Sequence, residues 1–198
     1  KPIRVWCDLI LYGKSPFSLT GSHHGLSYLF PMNVLFEKYV AVVLRRQLER
    51  EYNLKEQVSS ECLIKEHHAV KNYSSDHSIF QLKPDILIHK ASENIAILDC
   101  KWKLLDCNNR KDKYKISSSD MYQLYAYGNK YLKGRGKLFL IYPESDTFSE
   151  PLPVFKFDDD LELWVVPFKW GMDEICFSTN DNNNKSFEFL KKTLQVVS

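Results

Sequence analysis

Between residues 32 and 50 apolar side chains recur at helical spacing (Val34, Leu35, Tyr39, Val42, Val43), with Arg and Glu gathered toward the far end. This pattern predicts a long helix over 32–50, with Asn53 as its stop. Upstream, residues 3–12 read as the tail of a helix, and a polar, glycine-bearing loop runs on to Pro31. Downstream the period changes to that of strands, over 58–65, 79–89 and 95–102, with polar separators at 72–77 and 91–94. The last two strands read as a hairpin. Ile95-Ala-Ile-Leu-Asp99 is almost wholly apolar until its aspartate, as expected of a central strand buried on both faces. A basic, asparagine-rich loop over 107–115 leads to a serine run able to cap a helix over 120–132, which Gly134 and Gly136 end. Further strands are expected at 137–142 and 163–167 and a closing helix at 187–197, while the acidic 158–160 and asparagine-rich 180–185 tracts read as surface loops. The order predicts an α/β fold: a mixed central sheet flanked by helices on both faces.

At 198 residues, 44% of them hydrophobic and 26% charged, the chain fits one ordinary folded domain and not a disordered segment. A net charge of +2 is too small for a generally basic surface, so any affinity for nucleic acid has to come from local patches. Two runs qualify: Lys101, Lys103, Arg110, Lys111, Lys113 and Lys115, then Lys130, Lys133, Arg135 and Lys137. Solvated loop charge explains either run equally well. The cysteines (Cys7, Cys62, Cys100, Cys107, Cys176) form an odd set without a C-x-x-C pair, which argues against a disulfide framework or zinc ribbon and for a reducing cytoplasm. No apolar run approaches a membrane span, and there is no signal-peptide pattern. A start at Lys1 instead of Met points to a piece of a longer protein.

The candidate chemistry lies in the hairpin. Pro84-Asp85 belongs to its first strand and Asp99-Cys100-Lys101 ends its second. Side chains two apart on a strand share a face, so Asp99 and Lys101 point together, and strand pairing brings Asp85 alongside. Two carboxylates offer hard oxygen ligands to Mg²⁺, with Mn²⁺ as substitute, and the Cys100 carbonyl adds one more. A lysine beside them can orient a water or stabilise charge growing on phosphate oxygens. Taken alone, a D-x-K at a strand end is equally a simple salt bridge. His67-His68 and His23-His24 lack the spacing of metal ligands.

With their order along the chain, these residues resemble the PD-(D/E)xK nuclease superfamily. Its core runs helix, three strands, helix, strand, and its motif sits in the second and third strands. The resemblance implies a Mg²⁺-dependent endonuclease in which Asp85, Asp99 and Lys101 are catalytic and Glu37, from the first helix, is a further acidic group at the metal. Gln123-Leu-Tyr-Ala-Tyr127 resembles the Q-x-x-x-Y motif of RecB-type members, implying that Gln123 and Tyr127, four apart on one helical face, support the site and hold the DNA backbone, with Lys103 nearby. The cysteine spacing does not match the iron–sulfur cluster of some of those members, so no cluster is expected.

Closer still are Phe30-Pro-Met-Asn-Val-Leu-Phe-Glu-Lys-Tyr-Val40, Lys83-Pro-Asp-Ile-Leu-Ile88 with Asp99-Cys-Lys-Trp-Lys103, Asp120-Met-Tyr-Gln-Leu-Tyr-Ala-Tyr127 and Leu140-Ile-Tyr-Pro143. Together they are similar to the C-terminal nuclease part of the McrC family, the cutting subunits of McrBC modification-dependent restriction systems. That likeness implies a nuclease domain over 25–198, a remnant of the preceding region over 1–24, DNA as substrate, and a McrB-like AAA+ GTPase as partner. No G-x-x-x-x-G-K-[ST] motif occurs in the chain, so GTP would enter only through that partner. The competing reading is a catalytically silent nuclease-fold module that binds DNA or docks the motor.

Overall fold

The computed structural model describes residues 31–48, 50–65 and 79–169. The expectations for 1–24 and Gly25, for the histidine pairs, for Cys7 and Cys176, and for the closing helix lie outside these residues. Helix α1 (Met32–Gln47) buries Phe36, Val40, Ala41, Val43 and Leu44 on one stripe and carries Arg45 and Arg46 in its last turn, where cations favour the helix dipole. It stops earlier than the pattern predicts, and Asn53 belongs instead to strand β1 (Tyr52–Glu56).

A six-stranded sheet follows, in the order β1-β4-β5-β6-β8-β7, built with β4 (Ile86–Lys90), β5 (Glu93–Cys100), β6 (Gly136–Pro143), β7 (Phe155–Asp158) and β8 (Leu161–Phe168). β4 and β5 form the expected antiparallel hairpin, whereas β5, β6 and β8 run parallel. The run expected as one strand over 58–65 yields only β2 (Glu61–Ile64), which pairs with β3 (Ile79–Leu82) in a separate two-stranded sheet. The run expected over 79–89 is cut at Lys83-Pro84-Asp85, where proline has no N–H to give a ladder. The first strand of the main sheet is therefore β1, and the acidic tract at 158–160 begins on β7 before turning into β8.

Two apolar layers sandwich the sheet. Phe36, Val40 and Leu44 of α1 pack with Ile86, Ile88, Leu98 and Phe139 on one side. On the other, helix α2 (Ser118–Tyr131) sets Leu124, Tyr127 and Tyr131 against Leu87, Ile97, Leu138 and Leu140. Alternation along β5 thus sends Leu98 and Cys100 toward α1, and Ile97 and its successor Asp99 toward α2. α2 is capped by Ser117, whose hydroxyl accepts from the Ser119 N–H at 3.1 Å. Past its end Lys133 has φ 56, and Gly136 has φ 118 where a side chain would meet the Ile95 carbonyl at 3.1 Å. Glycine suits a left-handed helix end better than lysine does. Lys133→Gly is expected to stabilise the fold by about 0.5–1 kcal/mol, read as a rise of roughly 1–4 °C in thermal midpoint. A lowered midpoint would contradict that account of the helix end.

Between β5 and α2 a short irregular helical segment (Arg110–Lys115) carries three successive left-handed residues: Lys113 (φ 51), Tyr114 (φ 58) and Lys115 (φ 65). Each costs roughly 1–2 kcal/mol. The turn is held by Tyr114 N–H to Asn109 O at 2.8 Å and Ile116 N–H to Lys113 O at 2.9 Å.

Candidate active site

The β4–β5 register pairs Ile86 with Leu98, and one residue further Asp85 stands opposite Asp99. Proline is what frees Asp85 from the ladder: Pro84 breaks the strand, and the aspartate reaches across so that its Oδ2 accepts from the Cys100 N–H at 2.8 Å. Its main-chain carbonyl accepts from the Gln57 N–H at 3.0 Å, and its Oδ1 from Gln57 Nε2 at 3.2 Å. The same Gln57 amide donates to Glu37 Oε1, so one side chain at the end of β1 joins the acidic residue of α1 to that of the hairpin. The neighbouring Glu56 binds Arg45 at 2.6 Å and Lys38 at 2.9 Å, fastening this end of β1 to α1.

Asp99 is 2% exposed. Lys101 Nζ lies 2.6 Å from its Oδ2. That enclosed oxygen is thus held by one short ionic contact. Lys101 also donates to Gln123 Oε1 at 3.2 Å and stands 3.8 Å from Asp120. Gln123 Nε2 donates to the Tyr127 hydroxyl at 2.8 Å, and that hydroxyl donates to the Lys83 carbonyl at 3.0 Å. Tyr127, 2% exposed, is thus a support beneath the site, fixing Gln123 and the chain just before Asp85, and not a surface for the DNA backbone. Lys103 is turned to Asp120 at 2.7 Å and lies over the Tyr142 ring at 5.8 Å.

The electrostatics follow from burial and crowding. Burial foremost, then the charges of Asp99 and Glu37, raise the Asp85 carboxyl to about 7 against the pull of the Cys100 N–H. Burial likewise raises Asp99, with Lys101 opposing. Burial alone would depress Lys101, but the negative charge of Asp99 and Asp120 outweighs it and keeps the ammonium charged. Tyr127 is pushed up by burial and by Asp99, so its hydroxyl stays a neutral donor.

Among the described residues no three His, Cys, Asp or Glu side chains form a closed ligand set. Asp85 and Asp99 nevertheless fit a divalent cation. They are two carboxylates in mutual repulsion, Asp99 buried and Asp85 half-buried, with the Lys101 ammonium against Asp99. That is the donor set of Mg²⁺, which keeps waters and takes one or two carboxylates plus substrate phosphate.

The side chains expected at the site (Glu37, Asp85, Asp99, Lys101, Lys103, Gln123, Tyr127) are joined by these contacts and charges, and Cys100 enters through its N–H; Gln57 and Asp120 are additions. Asp120 was detectable in principle, three residues before Gln123 on one helical face. Gln57 belongs to no motif. Gln57→Ala is expected to weaken Mn²⁺ binding, measured by calorimetric titration, about 10–100-fold, the usual cost of losing a residue that orients metal-binding groups, with little change in fold. Unchanged Mn²⁺ affinity in that variant would show that Glu37 and Asp85 need no shared donor.

Comparison with known proteins places this site in context. The model of a family described as McrBC 5-methylcytosine restriction system component matches residues 1–143. Among solved structures, the chain is similar to one in the refined half-complex from a tetradecameric assembly of Thermococcus gammatolerans McrB AAA+ hexamers with bound McrC. Identity there is 18%, coverage is 87% of this chain and 34% of that one, and the TM-score is 0.54. At that identity the likeness is one of fold, and this chain spans about a third of the other's length. No curated protein matches it.

Proposed function

Since this chain belongs to the McrBC 5-methylcytosine restriction system component family, we propose that it is the DNA-cutting domain of its system, a metal-dependent endonuclease of the McrC type. The observation that carries the reading is the pair Asp85, half-buried, and Asp99, buried, mutually repelling and flanked by the Lys101 ammonium. A salt bridge alone explains Asp99 and Lys101, but not why a second carboxylate is held against them at the cost of a strongly raised pKa.

Asp85 and Asp99 would hold Mg²⁺ or Mn²⁺, with the Cys100 carbonyl and Glu37 as further oxygen donors. Such an ion, when bound, supplies positive charge against the scissile phosphate and an acidified water. Lys101 does the remaining positioning. Its ammonium is kept charged by Asp99 and held by Gln123, and would donate a hydrogen bond to the attacking water or to a non-bridging phosphate oxygen. Tyr127 locks Gln123, and Gln57 keeps Asp85 and Glu37 turned inward. Hydrolysis would leave 5′-phosphate and 3′-hydroxyl ends, as in PD-(D/E)xK nucleases.

A McrB-like AAA+ GTPase is the proposed partner, GTP entering only there, and the cytoplasm the proposed location. No helix among the described residues is long and apolar enough to cross a membrane. The direct test is supercoiled plasmid carrying modified cytosine, with the chain, its AAA+ partner, GTP and Mg²⁺. Linear product is expected, lost on adding EDTA. Intact plasmid under the complete mixture would refute the assignment.

A further inference from the structure

At the start of α2 lies a cavity of about 280 Å³ that the cleavage chemistry does not use. Its floor is apolar and aromatic: Ile116, Met121, and the rings of Tyr114 and Phe155, which meet edge to face at 6.3 Å between centroids. Its rim is cationic, with exposed Arg110 and Lys113, and the latter's ammonium reaches Ser118 Oγ at 3.3 Å. The volume lies near the small end of ligand pockets, roughly 300–1,000 Å³, and so suits one ring system.

Three features point the same way. An apolar aromatic floor accepts a planar ring by stacking. Two cations above it, backed by Lys111 and Lys115 in the same turn, call for a phosphate beside that ring. The turn that presents Lys113 and Tyr114 is the left-handed one, and strain of this kind gathers where a chain must present particular side chains. On α2 the cavity's Ser118 and Met121 lie on the face turned away from Asp120 and Gln123, and Phe155 stands on edge strand β7, so the cavity is a separate site from the carboxylates.

We infer that this cavity is a nucleotide subsite, in which one base of a DNA strand stacks on Phe155 and meets Tyr114 edge to face while Arg110 and Lys113 bind its phosphate. The inference rests on the nuclease reading, since it supplies a strand to be gripped. It adds a function for the basic loop: holding an unpaired nucleotide of the bound strand.

The test uses the whole chain in EDTA, so that nothing is cut, with single-stranded oligonucleotides carrying 2-aminopurine at successive positions. Quenching is expected when the fluorescent base occupies the cavity. Arg110→Ala with Lys113→Ala, both on exposed residues, is expected to weaken binding about tenfold and flatten its salt dependence. Phe155→Leu keeps the floor apolar and is expected to retain binding while losing much of the quenching. Unquenched binding, quenching untouched by Phe155→Leu, or affinity unchanged in the double variant would each overturn the subsite. Plasmid linearisation that depends on Asp99, measured separately, reports on the nuclease reading, so the two can fail independently.

Discussion

Asp99→Asn is expected to reduce plasmid cleavage by roughly 10³-fold or more, while the protein stays as stable as wild type or becomes more so. The substitution keeps the shape of the side chain and removes its charge. At a buried position this does two things at once. It deprives a cation of an anionic ligand and Lys101 of the oxygen 2.6 Å away. It also relieves the repulsion that helps raise Asp85. A residue serving only as a structural salt bridge would behave in the opposite way: breaking a buried pair leaves an uncompensated ammonium and destabilises by about 3–5 kcal/mol. Cleavage assays and thermal melts on the same sample separate the two. Cleavage at the wild-type rate would remove Asp99 from the chemistry, and a collapsed melt without Mg²⁺ would recast it as a strut.

Much of this was readable from side-chain order. The near-continuous apolar run Ile95 to Leu98 marks a central strand, and the first polar residue after it falls where a buried strand surfaces. Alternation then assigns Asp99 and Lys101 to one face, and the hairpin separators put Asp85 within reach. The failures were at edges. Tyr-Asn-Leu-Lys-Glu over β1 and Phe-Lys-Phe-Asp over β7 are edge strands, half buried at most, so their alternation is diluted by polar residues and reads as loop. The stronger-looking run after Val58 yields a small satellite sheet, with Leu63, Ile64 and Phe80 exposed among the described residues. Gln57 was hidden for the same reason: its place is set by how the end of β1 meets α1, through Glu56 with Arg45 and Lys38, and no local spacing encodes that.

The second large effect concerns pH and metal together. In the unfolded chain Asp85 and Asp99 titrate near 3.9. In the fold burial raises both, Asp85 to about 7, with Asp99 and Glu37 adding to it. Above the unfolded value the folded state binds more protons than the unfolded one, so metal-free stability falls as pH rises from about 4 through about 7 on account of Asp85, and Asp99 adds to the fall in the same direction. Other shifted groups do not act in this window. Glu56, held low by Arg45 and Lys38, loses its contribution only below about pH 4.5, and the raised Lys101 loses its own only above about pH 10. In chelator the thermal midpoint at pH 8 is therefore expected to lie roughly 5–10 °C below that at pH 5.5, corresponding to about 2–3 kcal/mol. Millimolar Mn²⁺ reverses the trend at pH 8, because a cation that binds only the folded, ionised pair stabilises by mass action. At pH 5.5 the same ion must displace protons and has little effect. Asp99→Asn flattens both responses. A metal-free midpoint that climbs between pH 5.5 and 8, or a Mn²⁺ effect equal at both pH values, would show that these carboxylates are neither as crowded nor as ready for a cation as their placement requires.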